Sequence, residues 1–280
     1  MLWATLAGVV LGALGARPVS APRPVDPAPI VLVQAPGANQ PITRLAYRWA
    51  SVTTNYNHAS PSQALNIELT AKRLNGTVLA PGQVFSYYAR VGPYTAENGY
   101  GWGRAFVGDR IVPSVGGGVC QGASTLYAAV LRTGLRVLER HPHGLLVPYL
   151  PPGEDATVAG DYLDFRFQNT SPGPVLITAS AQNRTYHLTI WGAVPGPEIV
   201  VKHEILERYP FRTIVRTDAT LKPGEEKVVA PGQEGVKARS WLEIRTPEGW
   251  KTRSLGIDRY RPSPRIILVG PGPRATTPVR

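Results

Sequence analysis

Cysteine is nearly absent: Cys120 is alone among 280 residues. A single thiol excludes an internal disulfide. Zinc-finger spacing is missing as well, and so is any basic tail or arm. The formal net charge of +11 is diffuse, with 14 Lys/Arg against 9 Asp/Glu through residue 197 and 16 against 10 beyond it. That distribution speaks against nucleic-acid binding and suits an anionic polymer instead. Long apolar runs are scarce too. The exception is MLWATLAGVVLGALG at residues 1–15, uncharged, of signal-peptide length and short for a membrane span. Small residues at 19–21 offer a cleavage site, although Pro22 follows and the n-region has no Lys or Arg. Residues 1–21 therefore read as a signal peptide or N-terminal anchor, which places the chain in an extracytoplasmic compartment. An unpaired thiol is a liability there, so keeping one asks for a chemical reason.

Glycine (29) and proline (28) are abundant, which favours turns and short strands over a helical bundle. Residues 22–41 are rich in Pro and Ala without a period and read as a linker. Ser60-Pro61 opens a helix, with Ala64, Ile67, Ala71 and Leu74 at helical spacing and Asn75-Gly76 as its stop. A strand is expected over 84–92, a long Gly- and aromatic-rich loop over 92–108, and a second helix over 121–132. Strands follow at 135–140, 163–169, 174–180 and 185–191, the last two forming a hairpin. Past a Gly/Pro break at 192–197 the chain alternates apolar and polar residues in short strands. Turns are expected there at Pro223-Gly224, Pro231-Gly232 and Pro247-Gly249. The expectation is an α+β domain over 42–196, with few helices and an antiparallel sheet. A small all-β domain over 197–273 and a tail over 274–280 complete it.

The chemistry centres on 114-SVGGGVCQGASTLYAAVLRTG-134. A thiol in the first turn of a helix meets unpaired backbone N–H groups and the positive end of the dipole, and both favour a nucleophilic thiolate. Glycines 116–118 let the backbone approach a bound carbonyl and offer N–H groups to an oxyanion. A nucleophilic cysteine also needs a base. His141 and His143 follow a strand that returns from the Cys120 helix, and Glu154 or Asp155 could orient either ring. His187 sits in a strand, and His203 falls in the second domain. Competing readings are an inert buried cysteine and a metal site on Cys120, His141 and His143, which lacks a fourth ligand. Arg140 suits a structural ion pair or a substrate carboxylate equally, and the aromatics at 94–106 suit core filling or sugar stacking.

Residues 66–191 resemble the VanW family. The resemblance rests on 66-NIELTAKRLNGTVLAPGQVFSYY-88, 116-GGGVCQGASTLYAAVLRTGL-135, 139-ERHPH-143, Tyr149 and 153-GEDATV-158. In the tail, 221-LKPGEEKVVAPGQEGVKA-238 and 266-IILVG-270 resemble a G5 domain, an extracellular β module.

The first resemblance implies a peptidoglycan L,D-transpeptidase with Cys120 as nucleophile and His143 as base. A hydroxyl residue follows the histidine in the family, whereas Gly144 stands here. Asp155 is the expected orienter of His143. Gly117, Gly118, Gln121, Arg140 and Tyr149 are the expected oxyanion and substrate contacts. No cofactor and no metal are implied, and the expected partners are the peptide stems of the wall. The second resemblance adds an aminosugar polymer as a partner of the β domain. Two rivals share these residues: a non-catalytic wall-binding protein, and a cysteine carboxypeptidase on the same stems.

Overall fold

The computed structural model describes residues 31–34, 42–107 and 110–272. The expected export segment (1–21) and the tail (274–280) lie outside the described residues. In chain order the first elements are β1 (Val31–Gln34), β2 (Ile42–Leu45), β3 (Tyr47–Asn55), α1 (Pro61–Leu74), β4 (Thr77–Leu79), β5 (Val84–Ser86) and α2 (Tyr87–Val91). Next come β6 (Trp102–Val107), β7 (Arg110–Val115), α3 (Val119–Leu131), β8 (Arg136–Glu139), β9 (Arg166–Gln168), β10 (Val175–Gln182) and β11 (Thr185–Gly192). The remainder is all strand: β12 (Ile199–Tyr209), β13 (Thr213–Thr217), β14 (Glu226–Gln233), β15 (Gly235–Thr246), β16 (Gly249–Tyr260) and β17 (Ser263–Val269).

The first domain packs α1 and α3 against an antiparallel sheet ordered β3-β11-β10-β4. Helix α1 forms where its caps dictate. The Ser60 hydroxyl accepts the Gln63 N–H, Pro61 takes the first turn, and Lys72 and Arg73 face the negative end of the dipole. Its apolar stripe, Ala64, Ile67, Ala71 and Leu74, is buried as the spacing requires. Helix α3 differs, being enclosed on nearly all sides, with its polar Gln121, Ser124 and Thr125 hydrogen-bonded inside the domain. Every residue of α3 is buried except Cys120. That one side chain is how the most enclosed helix of the domain reaches outside the core.

The second domain has two three-stranded sheets, β12-β15-β16 and β13-β17-β14, the first fully antiparallel. In the second sheet β13 and β17 run parallel. The expected architecture, an α+β domain followed by an all-β one, is the one observed. The two domains share apolar contacts: Leu242 is fully buried within the main core, and Ile199, Val201, Ile244 and Leu255 pack against it. A smaller cluster joins Leu146 of the first domain to Val236, Ala238 and Tyr260 of the second.

Several local expectations are corrected. The linker over 22–41 contains β1, which pairs antiparallel with β2. The strand expected over 84–92 stops at Ser86, whose hydroxyl caps α2 by accepting the Ala89 N–H. The loop expected over 92–108 holds a short 3-10 turn and β6, which pairs with β7 as a hairpin. Pro231-Gly232 is no turn but lies inside β14, just past the shift in register with β17 between Val228 and Ala230. The β10–β11 hairpin stands as expected, turning through Asn183 and Arg184 at positive φ.

Candidate active site

The glycine run sets where α3 begins. Gly118 is its N-cap at φ +107, a conformation that side-chain-bearing residues rarely adopt. Gly117 lies so close to the β6 backbone at Gly103 that a Cβ would collide with it. The helix therefore starts at Val119, two residues earlier than the sequence suggests, and Cys120 occupies its first turn. The N–H groups of Gly117, Val119 and Gln121 donate to the carbonyls of Ser114, Gly116 and Gly118. Of the expected oxyanion donors, Gly117 and Gln121 thus have their amides engaged locally. The Gln121 side chain, in turn, donates to Thr54 and Asn55 of β3.

The segment 153–158 is laid across α3 by reciprocal bonds. Ser124 Oγ donates to the Ala156 carbonyl at 3.1 Å and accepts the Ala156 N–H at 3.0 Å. Thr157 N–H donates to the His141 carbonyl at 2.7 Å, tying in the chain that carries His143. The Cys120 sulfur rests against Val158, 3.3 Å from its carbonyl and 3.5 Å from its N–H. Asp155, fully buried, accepts from His143 Nδ1–H at 2.7 Å and from the His143 backbone N–H at 2.8 Å, both on Oδ2. Hydrogen bonding and charge attraction link His143 to Cys120 as well. Cys120, His143 and Asp155 thus form one line, brought together from three separate stretches of chain.

Burial pushes the His143 imidazolium pKa down, but hydrogen bonds to Asp155 and Cys120 and attraction to both outweigh it and carry it from 6.5 up to about 9. For Asp155, burial raises the carboxyl, while the bond and charge of His143, then Arg140 and Tyr260, hold it below its ordinary 3.8. The linked stability follows directly. The His143 contribution is full below pH 6.5 and is lost as the pH rises through about 9. The Asp155 contribution is full above pH 3.8 and is lost as the pH falls through its lowered value. Melting temperatures measured from pH 6 to 10 should therefore fall more steeply for the native chain than for His143→Gln. Parallel curves would contradict this linkage.

Other expected residues separate. His141 is part-exposed and bonds Glu139 at 3.1 Å, so His143 is the histidine placed at the thiol. Glu154 pairs with Arg132 at 2.7 Å and not with an imidazole. Arg140 does not line the groove. It spans Asp155 and Asp258 behind the histidine, with its guanidinium over the Tyr127 ring, so the expected substrate-carboxylate contact is corrected to an internal ion pair. Tyr149 does line the groove, its hydroxyl pKa raised by desolvation and by the Cys120 charge. Among the described residues, no group of three or more His, Cys, Asp or Glu is placed to hold a metal ion.

The groove itself has a volume of about 360 Å³. Besides Cys120 and His143, its walls include Tyr94, Arg104, Ser114 and Tyr162, which sequence reasoning did not single out as site residues. Tyr94 and Tyr100 stack edge to face at 5.7 Å and Tyr100 is buried, whereas Trp102 is exposed, so the aromatic segment fills core only in part. Arg104 is exposed and its guanidinium bonds the His58 carbonyl at 2.6 Å. No helix among the described residues is long and apolar enough to cross a membrane.

Comparisons with known proteins agree with this division. Residues 62–191 match the family model described as VanW like protein, and residues 200–272 match the G5 domain model. The uncharacterized protein YoaR of Bacillus subtilis (strain 168) is 39% identical over 140 residues, covering 50% of this chain and 46% of that protein. The vancomycin B-type resistance protein VanW of Enterococcus faecalis is 28% identical over 128 residues, covering 41% of this chain and 46% of that one. The chain thus matches about half the length of these relatives. A solved G5 domain of an IgA1 protease is 20% identical, covering 28% of this chain and 94% of that one, with a TM-score of 0.19. The chain therefore carries a VanW-like domain over residues 62–191, followed by a G5 domain over residues 200–272.

Proposed function

We propose that the protein is an exported cysteine acyltransferase acting on peptidoglycan stems, an L,D-transpeptidase. The observation that supports it is the Cys120–His143–Asp155 line ending in an open groove. A thiol held only for packing needs no buried imidazole with a carboxylate behind it. Here the one α3 side chain outside the core faces that pair.

In the first half-reaction the Cys120 sulfur attacks the carbonyl of the third stem residue. A C–S bond forms, the C–N bond to the terminal D-alanine breaks, and His143 delivers its proton to the leaving amine. Asp155 keeps the proton-bearing Nδ1 fixed, so Nε2 serves the reaction. In the second half-reaction a side-chain amine of a neighbouring stem attacks the thioester. Its proton passes to His143, the new amide forms, and the thiol is released. The amides of Gly118 and Cys120, in the glycine run and the first helical turn, are the proposed donors to the tetrahedral oxyanion. The G5 domain supports association with the wall, with an aminosugar polymer as its proposed ligand.

The test incubates the full chain with tetrapeptide muropeptides and resolves products by mass spectrometry. Cross-linked dimers with release of D-alanine are expected. Release of D-alanine without dimers would replace the transferase with a carboxypeptidase. Retention of muropeptides without any product would leave a binding protein.

A further inference from the structure

The polar chain does not end at Asp155. The Tyr260 hydroxyl, at the end of β16 in the G5 domain, donates to Asp155 Oδ1 at 2.5 Å. It accepts the Gly153 N–H at 2.8 Å, which fixes the direction of its proton toward the carboxylate. Asp258, two residues earlier on the same face of the strand, accepts from Arg140 Nη1 at 2.7 Å. Arg140 Nη2 reaches Asp155 Oδ1 at 3.1 Å, and its Nε reaches the Asp155 carbonyl at 2.7 Å. Asp258, Arg140, Asp155 and His143 are therefore a row of alternating charges that begins in one domain and ends in the other.

The surroundings make this a built junction. Tyr260 is 1% exposed and Asp155 is fully buried. Beside His143, the Arg261 N–H donates to the Gly144 carbonyl at 2.7 Å. Leu146 packs against Val236, Ala238 and Tyr260. A module serving only to hold the wall has no need to place a tyrosine and an aspartate against a carboxylate of its neighbour.

We infer that the G5 domain is a working part of the catalytic centre, with Tyr260 and Asp258 as positioning residues that set the charge and orientation of Asp155 and, through it, of His143. The inference rests on the reading of Cys120 and His143 as the reacting pair. It gives the two variants opposite signatures. Without the Tyr260 donor the Asp155 carboxylate is more basic and holds a proton on His143 more strongly. Without the Asp258 charge, Arg140 acts undivided on Asp155 and weakens that hold. Cys120 and Tyr127 from α3 also face this row, as do Tyr149 and Glu154, and all four are unchanged in both variants.

The experiment is an NMR titration of the His143 ring in the full histidine-labelled chain, native and as Tyr260→Phe and Asp258→Asn. Phenylalanine keeps the buried ring, and thermal melts confirm that each variant folds. Tyr260→Phe should raise the His143 midpoint and Asp258→Asn should lower it, each by about half a pH unit or more. Midpoints that stay at the native value in both, or move in the same direction, would overturn the inference. The titration needs no substrate, so its failure is distinct from a failure to form cross-links.

Discussion

Cys120→Ala should abolish cross-link formation, with a fall of roughly 10⁴-fold or more, since removing a nucleophile leaves only the residual effects of binding and oxyanion stabilisation. The loss should be chemical, not structural. The sulfur is part-exposed, and besides the His143 ring its polar contacts are weak ones to the Val158 backbone. The neighbouring contacts of α3, from Thr125 to Thr54 and from Ser124 to Ala156, do not involve it. The variant should therefore stay folded, losing no more than about 2 kcal/mol, since a half-buried thiol with these contacts is truncated at modest cost. Muropeptide retention should be unchanged. Kinetics of D-alanine release, read beside a thermal melt, check both halves. Equal turnover in the variant would mean that another group does the chemistry.

Asp155→Asn should produce the second large effect, and it should strike activity and stability together. Every group that meets the Asp155 carboxylate is a donor: two N–H groups of His143, Arg140 Nη2 and the Tyr260 hydroxyl. An asparagine of the same shape must turn its own N–H₂ toward one of these pairs, leaving donor against donor in a buried site. It also leaves Arg140 with Asp258 as its remaining anion. Breaking one partner from a buried ion pair costs about 3–5 kcal/mol. On the chemical side, a histidine that loses its orienting carboxylate loses about 10⁴-fold in rate in the comparable serine hydrolases. Urea unfolding and product kinetics on the same preparation measure both. A variant that retains native turnover would remove Asp155 from the account.

These two residues also mark what the sequence could and could not disclose. The helix over 61–74 was legible because its signals are local: Ser60, Pro61 and Asn75-Gly76 act within a turn of where they stand. The hairpin over 175–192 was legible for the same reason, from alternation and a short turn. Cys120 stood out because glycine, thiol and helix start are adjacent. His143 and Asp155 were reachable as a pair because they lie within a short span of chain. Where the reading failed, tertiary packing decided the outcome. The segment 84–91 carries strand-like residues, but Ser86 finds an amide to cap and Asp164 receives the Tyr88 N–H, which favours a turn of helix. The segment 92–108 looks like a loop until β7 pairs with it. Arg140 was left open between an ion pair and a substrate carboxylate because nothing local tells that Asp258, 118 residues away, lies within reach. Tyr260 was missed for the same reason, since its partner is set by domain docking and not by spacing along the chain.

The proposed reaction requires Cys120 to carry an acyl group during turnover. Intact-protein mass spectrometry after brief incubation with a tetrapeptide muropeptide, followed by peptide mapping, addresses it most directly. The expected result is a mass increase equal to the muropeptide less D-alanine, mapped to Cys120 and absent from Cys120→Ala. Formation of cross-linked product with Cys120 unmodified throughout, or the same adduct in the alanine variant, would contradict it.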